Sequence, residues 1–193
     1  MKKVIVLDIE TKSLGPSILE DTEKILSIQL GNQIEQEFFY ADGPKGRDLI
    51  AGTKRINGLI RGGVKITGYN IERFDIFLLQ KLLGFSIPLE SCEDMWFHSE
   101  VLKLKKRYGR DYLSLADVCK ELGIPCGHKD LLNSSIEKIR VEKGIERRQA
   151  FGFALWEQYL DFVKNPADDH LFLRYALGDV VVEHMLYQKL NEK

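Results

Sequence analysis

A chain of 193 residues, 44% hydrophobic and 30% charged, has material for one substantial apolar core, which excludes a disordered or fibrous class and predicts a single domain over 1–193. The net charge of −1 excludes nothing by itself, but residues 101–150 hold twelve Lys/Arg against seven Asp/Glu, a local +5 that leaves −6 elsewhere. Three cysteines (Cys92, Cys119, Cys126), an odd number without a C-x-x-C pair, exclude a disulfide framework and read as reduced thiols of a cytoplasmic protein.

Residues 3–9 form a short run rich in β-branched side chains, which predicts a buried strand. Its apolar stretch before Asp8 is too short for a leader's h-region, and no later stretch is long enough to span a bilayer, so no membrane contact is expected. A loop containing Gly15-Pro16 follows. Residues 25–30 and 33–40 alternate like strands, and Gly31-Asn32 between them predicts a tight two-residue hairpin. After Gly43-Pro44, residues 47–60 read as a helix and 64–67 as another strand. Asn70 is placed to cap a helix that runs to Leu83 and stops at Gly84. Residues 89–96 suggest a fifth strand.

The segment from Lys103 to Arg110 carries Lys105, Lys106, Arg107 and Tyr108, with Tyr112 close by. Cations suit phosphates and rings suit bases, so it is a candidate nucleic-acid track; the alternative is a solvated loop. Residues 113–122 are amphipathic and end at Gly123. In 127–150, Lys138, Arg140, Lys143, Arg147 and Arg148 suggest a charged, solvated helix, with a substrate-cradling insertion as the alternative. Cys126 and His128 read as a loop thiol and a loop imidazole. Residues 146–163 carry Phe151, Leu155, Tyr159 and Phe162 as a core stripe. The last helix is signalled by Asn165 as cap, Pro166 at the first position and Asp168 and Asp169 in the first turn, and it continues to about Leu190. Strands first and helices last, with a βαβ-like middle, predict an α/β fold with a mixed sheet flanked by helices.

Four acids in three stretches stand out against this background. Asp8 and Glu10 lie two apart on the first strand, so both side chains leave the same face. Two buried acids side by side conflict unless a divalent cation such as Mg²⁺ or Mn²⁺ balances them. Alternatively the strand ends at Asp8 and both face water. Asp75 sits where a strand runs out into a helix, inside the apolar run Phe74, Ile76, Phe77, Leu78, Leu79. Tyr175 and Asp179 lie four apart, on one face of the last helix. Gly178 inside that helix costs about 1 kcal/mol relative to Ala, so a close approach by some neighbour is expected.

Asp8-Ile-Glu10-Thr11, Asn70-x-x-x-Phe74-Asp75 and Tyr175-x-x-x-Asp179 together resemble, in order, the three exonuclease motifs of the DEDD superfamily. The resemblance runs from residue 4 to about 187. The wording of the first motif is most similar to the proofreading exonuclease domains of family B DNA polymerases, and residues 113–123 resemble a helix that those domains carry. Arg174 stands where a histidine-type member would place His, so the chain resembles the tyrosine type.

This resemblance implies a ribonuclease H-like fold with about five strands, the first three antiparallel. It also implies two divalent cations, Mg²⁺ or Mn²⁺, on Asp8, Glu10, Asp75 and Asp179, with Tyr175 orienting the attacking water. Thr11, Asn70 and Phe74 would contact the terminal nucleotides. The implied activity is 3′→5′ exonucleolytic hydrolysis of single-stranded or frayed DNA ends. The rivals are an exoribonuclease using the same residues and a catalytically silent binding module. A chain of this length leaves no room for an attached polymerase, so a proofreading role implies a replication or repair partner.

Overall fold

The computed structural model describes residues 3–15 and 21–192; Pro16 of the expected loop lies outside them. Five strands, β1 (Val4–Ser13), β2 (Thr22–Gly31), β3 (Gln36–Tyr40), β4 (Lys65–Gly68) and β5 (Cys92–Asp94), make one mixed sheet in the order β3-β2-β1-β4-β5. The β1/β2 and β2/β3 pairs are antiparallel, and β1/β4 and β4/β5 are parallel. β1 is the central strand and the most apolar at its start, as a strand covered on both faces must be.

Around the sheet run α1 (Leu49–Arg61), α2 (Phe77–Leu83), α3 (Ser99–Tyr108), α4 (Leu115–Leu122), α5 (Asn133–Lys143), α6 (Arg147–Lys164) and α7 (Leu171–Leu190). Alternation along β1 sends Ile5, Leu7 and Ile9 to one face, where they pack with Ile56 and Leu59 of α1 and Leu78 and Leu79 of α2. Val6, Asp8 and Glu10 therefore point the other way, toward the side where α6 and α7 pack on β1. There a second apolar cluster joins Leu26 to Leu155, Tyr159, Phe172 and Tyr175. A third gathers Trp96, Leu104 and Val118 against Leu186 near the end of α7. Helix α6 comes so close to the end of β1 that a Cβ on Gly152 would lie 2.0 Å from the Ser13 carbonyl oxygen.

Several expected boundaries move, each for a local reason. β1 continues four residues beyond Ile9, because β2 pairs with it out to Ser13 across a register shift after Glu10. The alternative in which the strand stops at Asp8 is therefore excluded. The hairpin between β2 and β3 is not a two-residue turn. Gly31 still pairs with Gln36, and residues 32–35 make the turn, with the Asn32 carboxamide oxygen accepting from Ile34 N (2.7 Å) and Glu35 N (3.0 Å). The fifth strand shrinks to three residues between two short 3₁₀ turns. Residues 103–108 of the segment read as a track or solvated loop belong to the helix Ser99–Tyr108, and the last helix begins at Leu171 with the His170 ring accepting from Phe172 N. Pro166, Asp168 and Asp169 precede it. Among the described residues, no helix is long and apolar enough to cross a membrane.

Candidate active site

The site forms where β1, the turn after β4 and α7 converge. Asp8 and Glu10 project from β1 with the period-two spacing, and Asp179 faces them from α7. One carboxylate oxygen from each of these three lies within 4.8 Å of the other two, so this triad can hold a metal ion. Glu10 is 8% exposed and Asp179 4%. Asp8 Oδ2 is buried without a hydrogen-bond partner.

Asp75 arrives by a different route. After β4 the chain passes through Asn70, the one non-glycine residue with positive φ (64°) among those described, into a π-helical turn at Glu72–Ile76 that continues as α2. Asn70 tolerates that conformation better than a branched residue would. It does not cap the helix with its side chain as expected. Asp94 at the end of β5 takes that role, accepting from Asn70 N (2.8 Å), Glu72 N (3.1 Å) and Trp96 N (2.9 Å). The π turn buries Asp75 to 4% exposure, where its Oδ1 accepts from Ile9 N at 3.0 Å. Asp75 is thus fixed to the strand backbone between Asp8 and Glu10 and stands outside the three-oxygen set.

Three residues that sequence reasoning did not place here complete the cluster. The short turn Gly127–Leu132 lays His128 and Lys129 against α7. Lys129 Nζ donates to Asp179 Oδ2 at 2.6 Å and to the Tyr175 hydroxyl at 3.0 Å, and His128 Nε2 lies 3.1 Å from Asp179 Oδ1. Gly178 supplies the room: a Cβ there would come within 2.6 Å of the His128 ring. Its helix-interior position was the one sequence signal for that approach. Glu183, one turn beyond Asp179 on the same face of α7, is 4% exposed, and its Oε2 has no partner.

The electrostatics follow from burial and crowding. Burial, then repulsion from Asp179 and its other acidic neighbours, pushes Asp8 well above the usual carboxylate range. For Glu10 the same causes raise the value to about 8. Asp75 and Glu183 are also raised, chiefly by burial. Asp179 goes the other way. Burial pushes it up, but Lys129 and His128 outweigh that and hold it below its ordinary value. Burial keeps the Tyr175 phenol protonated far above its usual range.

These groups open onto a cleft of about 440 Å³, lined also by the expected Thr11, Asn70 and Phe74, and by Tyr112 and the exposed Arg148 of α6. The basic track does not join it. Lys105 is turned inward, with Nζ 3.2 Å from the Trp96 carbonyl oxygen and over the indole ring. Lys106, Arg107 and Tyr108 lie on α3 away from the cleft lining, with Arg107 3.8 Å from Glu121. Of the 127–150 segment, the turn enters the site, Lys138, Arg140 and Lys143 lie on the charged, partly solvated α5, and Arg147 and Arg148 instead open α6, with Arg148 lining the cleft.

A scan against protein-family models finds no match for this chain, and a search of the curated proteins finds none either. What the site can do is set by its own donors and their spacing.

Proposed function

We propose that this chain is a metal-dependent 3′→5′ exonuclease of the tyrosine-type DEDD kind on a ribonuclease H-like fold, releasing nucleotides from single-stranded or frayed DNA ends. The observation that carries this reading is the meeting of Asp8, Glu10 and Asp179, from opposite ends of the chain, within 4.8 Å of one another and largely out of water. Such a set is costly without a cation: burial and mutual repulsion already push Asp8 and Glu10 up, and Asp8 Oδ2 lacks any partner. All-oxygen ligation suits Mg²⁺ or Mn²⁺.

Asp8, Glu10 and Asp179 would hold two such ions, with Asp75 acting through their outer shell from its anchor on Ile9 N. When bound, the ions would supply an attacking water of lowered pKa and charge for the leaving 3′-oxygen. The chain's own part is positioning. Tyr175 stays a neutral phenol and directs a water by hydrogen bonding, while Lys129 fixes the phenol oxygen from the other side. Without a cation, Lys129 also keeps Asp179 ionised. Thr11, Asn70 and Phe74 line the approach to these groups and would seat the terminal nucleotide, and Arg148 at the rim suits a phosphate.

The decisive assay uses matched DNA and RNA oligonucleotides labelled at the 5′ end, with Mg²⁺, with Mn²⁺ and with chelator. The expected result is a ladder shortening from the 3′ end of DNA, lost with chelator. Asp8→Ala should abolish the ladder while the protein still melts cooperatively; undiminished hydrolysis by that variant overturns the reading.

A further inference from the structure

Resting on that reading, we infer that Glu183 is a fifth carboxylate of the metal centre, giving a divalent cation a direct oxygen ligand together with Asp8. Tyr175, Asp179 and Glu183 follow one another at intervals of four along α7, so they form one stripe with a rise of about 6 Å per step. Lys129 touches only the first two: its ammonium lies against the Tyr175 hydroxyl and Asp179. No salt bridge reaches Glu183 among the described residues. The Glu183 carboxylate takes a backbone hydrogen bond from Tyr69, the residue after β4, yet its Oε2 stays buried and unpartnered.

Asp8 Oδ2 is in the same condition, and both side chains line the same cleft. Two orphaned carboxylate oxygens at one site are hard to reconcile with a purely structural role. An unpaired buried carboxylate is among the most destabilising features a fold can carry. A glutamine or leucine would fill the Glu183 position without that cost. A hard cation removes it for both residues at once, using oxygens that no protein group claims.

The test is Mn²⁺ binding, measured by calorimetry on the full chain without substrate and checked by metal-induced thermal shift. Wild-type protein should bind Mn²⁺, and Glu183→Gln should weaken that binding by about tenfold or more while melting higher than wild type in chelator. Glu183→Asp keeps the charge but retracts the oxygen, and should also bind more weakly. An isotherm for Glu183→Gln superimposable on wild type, or undiminished affinity in Glu183→Asp, overturns the inference and leaves the nuclease reading standing. No Mn²⁺ binding by wild type overturns the nuclease reading itself. Should Glu183→Gln fail to fold, the comparison of Glu183→Asp with wild type decides alone.

Discussion

Lys129 is the residue on which the charge balance of the site turns. Its ammonium lies 2.6 Å from Asp179 Oδ2 and 3.0 Å from the Tyr175 hydroxyl, so it occupies part of the field that a cation would share. Burial works against that charge, and the pull of Asp179, Tyr175 and Glu10 more than compensates. Two effects of Lys129→Met should therefore separate. Removing one positive charge leaves the carboxylates more negative, so Mn²⁺ should bind more tightly by calorimetry. The phenol and Asp179 lose their anchor, so turnover should fall by about 10²-fold. Unchanged Mn²⁺ affinity together with unchanged turnover would show that Lys129 is a bystander. Tyr175→Phe keeps the ring packed against Phe151 and removes only the hydroxyl. The expected result is a drop of about 10²-fold in kcat with little change in KM, read from steady-state kinetics on a labelled oligonucleotide.

At the scale of elements, the site depends on how closely the turn at Gly127–Leu132 seats against α7. Gly178→Ala tests that fit. Helix propensity alone predicts a gain of about 1 kcal/mol. The added Cβ, however, would sit 2.6 Å from His128 Cγ and 2.7 Å from its Cβ, atoms too near the backbone to swing aside. The turn must shift, carrying Lys129 with it. Thermal melting should show no net gain, and hydrolysis should decline although the helical signal is retained. A variant that melts higher and cleaves at the wild-type rate would show that the turn is not held by this contact. The same element marks the boundary of what is legible in the sequence. Period-two spacing is enough to put Asp8 and Glu10 on one face, and a separation of four does the same for Tyr175 and Asp179, because those relations are local. The Lys129–Asp179 contact spans fifty residues and has no periodic signal; only the oddly placed Gly178 hints at it. The cap on the turn after β4 is hidden for a similar reason, since its accepting group, Asp94, lies 24 residues from Asn70. The basic track misleads because composition does not tell which way a lysine points: the Lys105 ammonium lies over the Trp96 ring.

Across the whole molecule, the sheet places one apolar cluster behind β1 and the acidic site in front of it, so the carboxylates crowd against a rigid, water-poor wall. Folding then concentrates Asp8, Glu10, Asp75, Asp179 and Glu183 in one place, with Lys129 as the one lysine or arginine paired to them among the described residues. That arrangement fixes the sign of the pH dependence. Glu10 rises from an ordinary 4.5 to about 8, and Asp8, Asp75 and Glu183 also rise. A raised acid binds its proton more tightly when folded, so its contribution is complete below its ordinary value and is lost as pH climbs through the folded one. Asp179 has the opposite sign: its contribution is present above its ordinary value and disappears on acidification, outside that window. In chelator, then, the melting temperature should fall as pH rises from about 5 through about 8, the window that Glu10 sets. On the proposed reading, Mn²⁺ would bind the ionised cluster and not the unfolded chain. At a hundredfold excess over its dissociation constant it should add about 2.7 kcal/mol, most of it at the alkaline end where the carboxylates are free of protons. The two melting curves should accordingly diverge as pH rises. Parallel curves, or a metal-free protein that grows more stable as pH rises across that window, would mean that the five acids do not share one buried field.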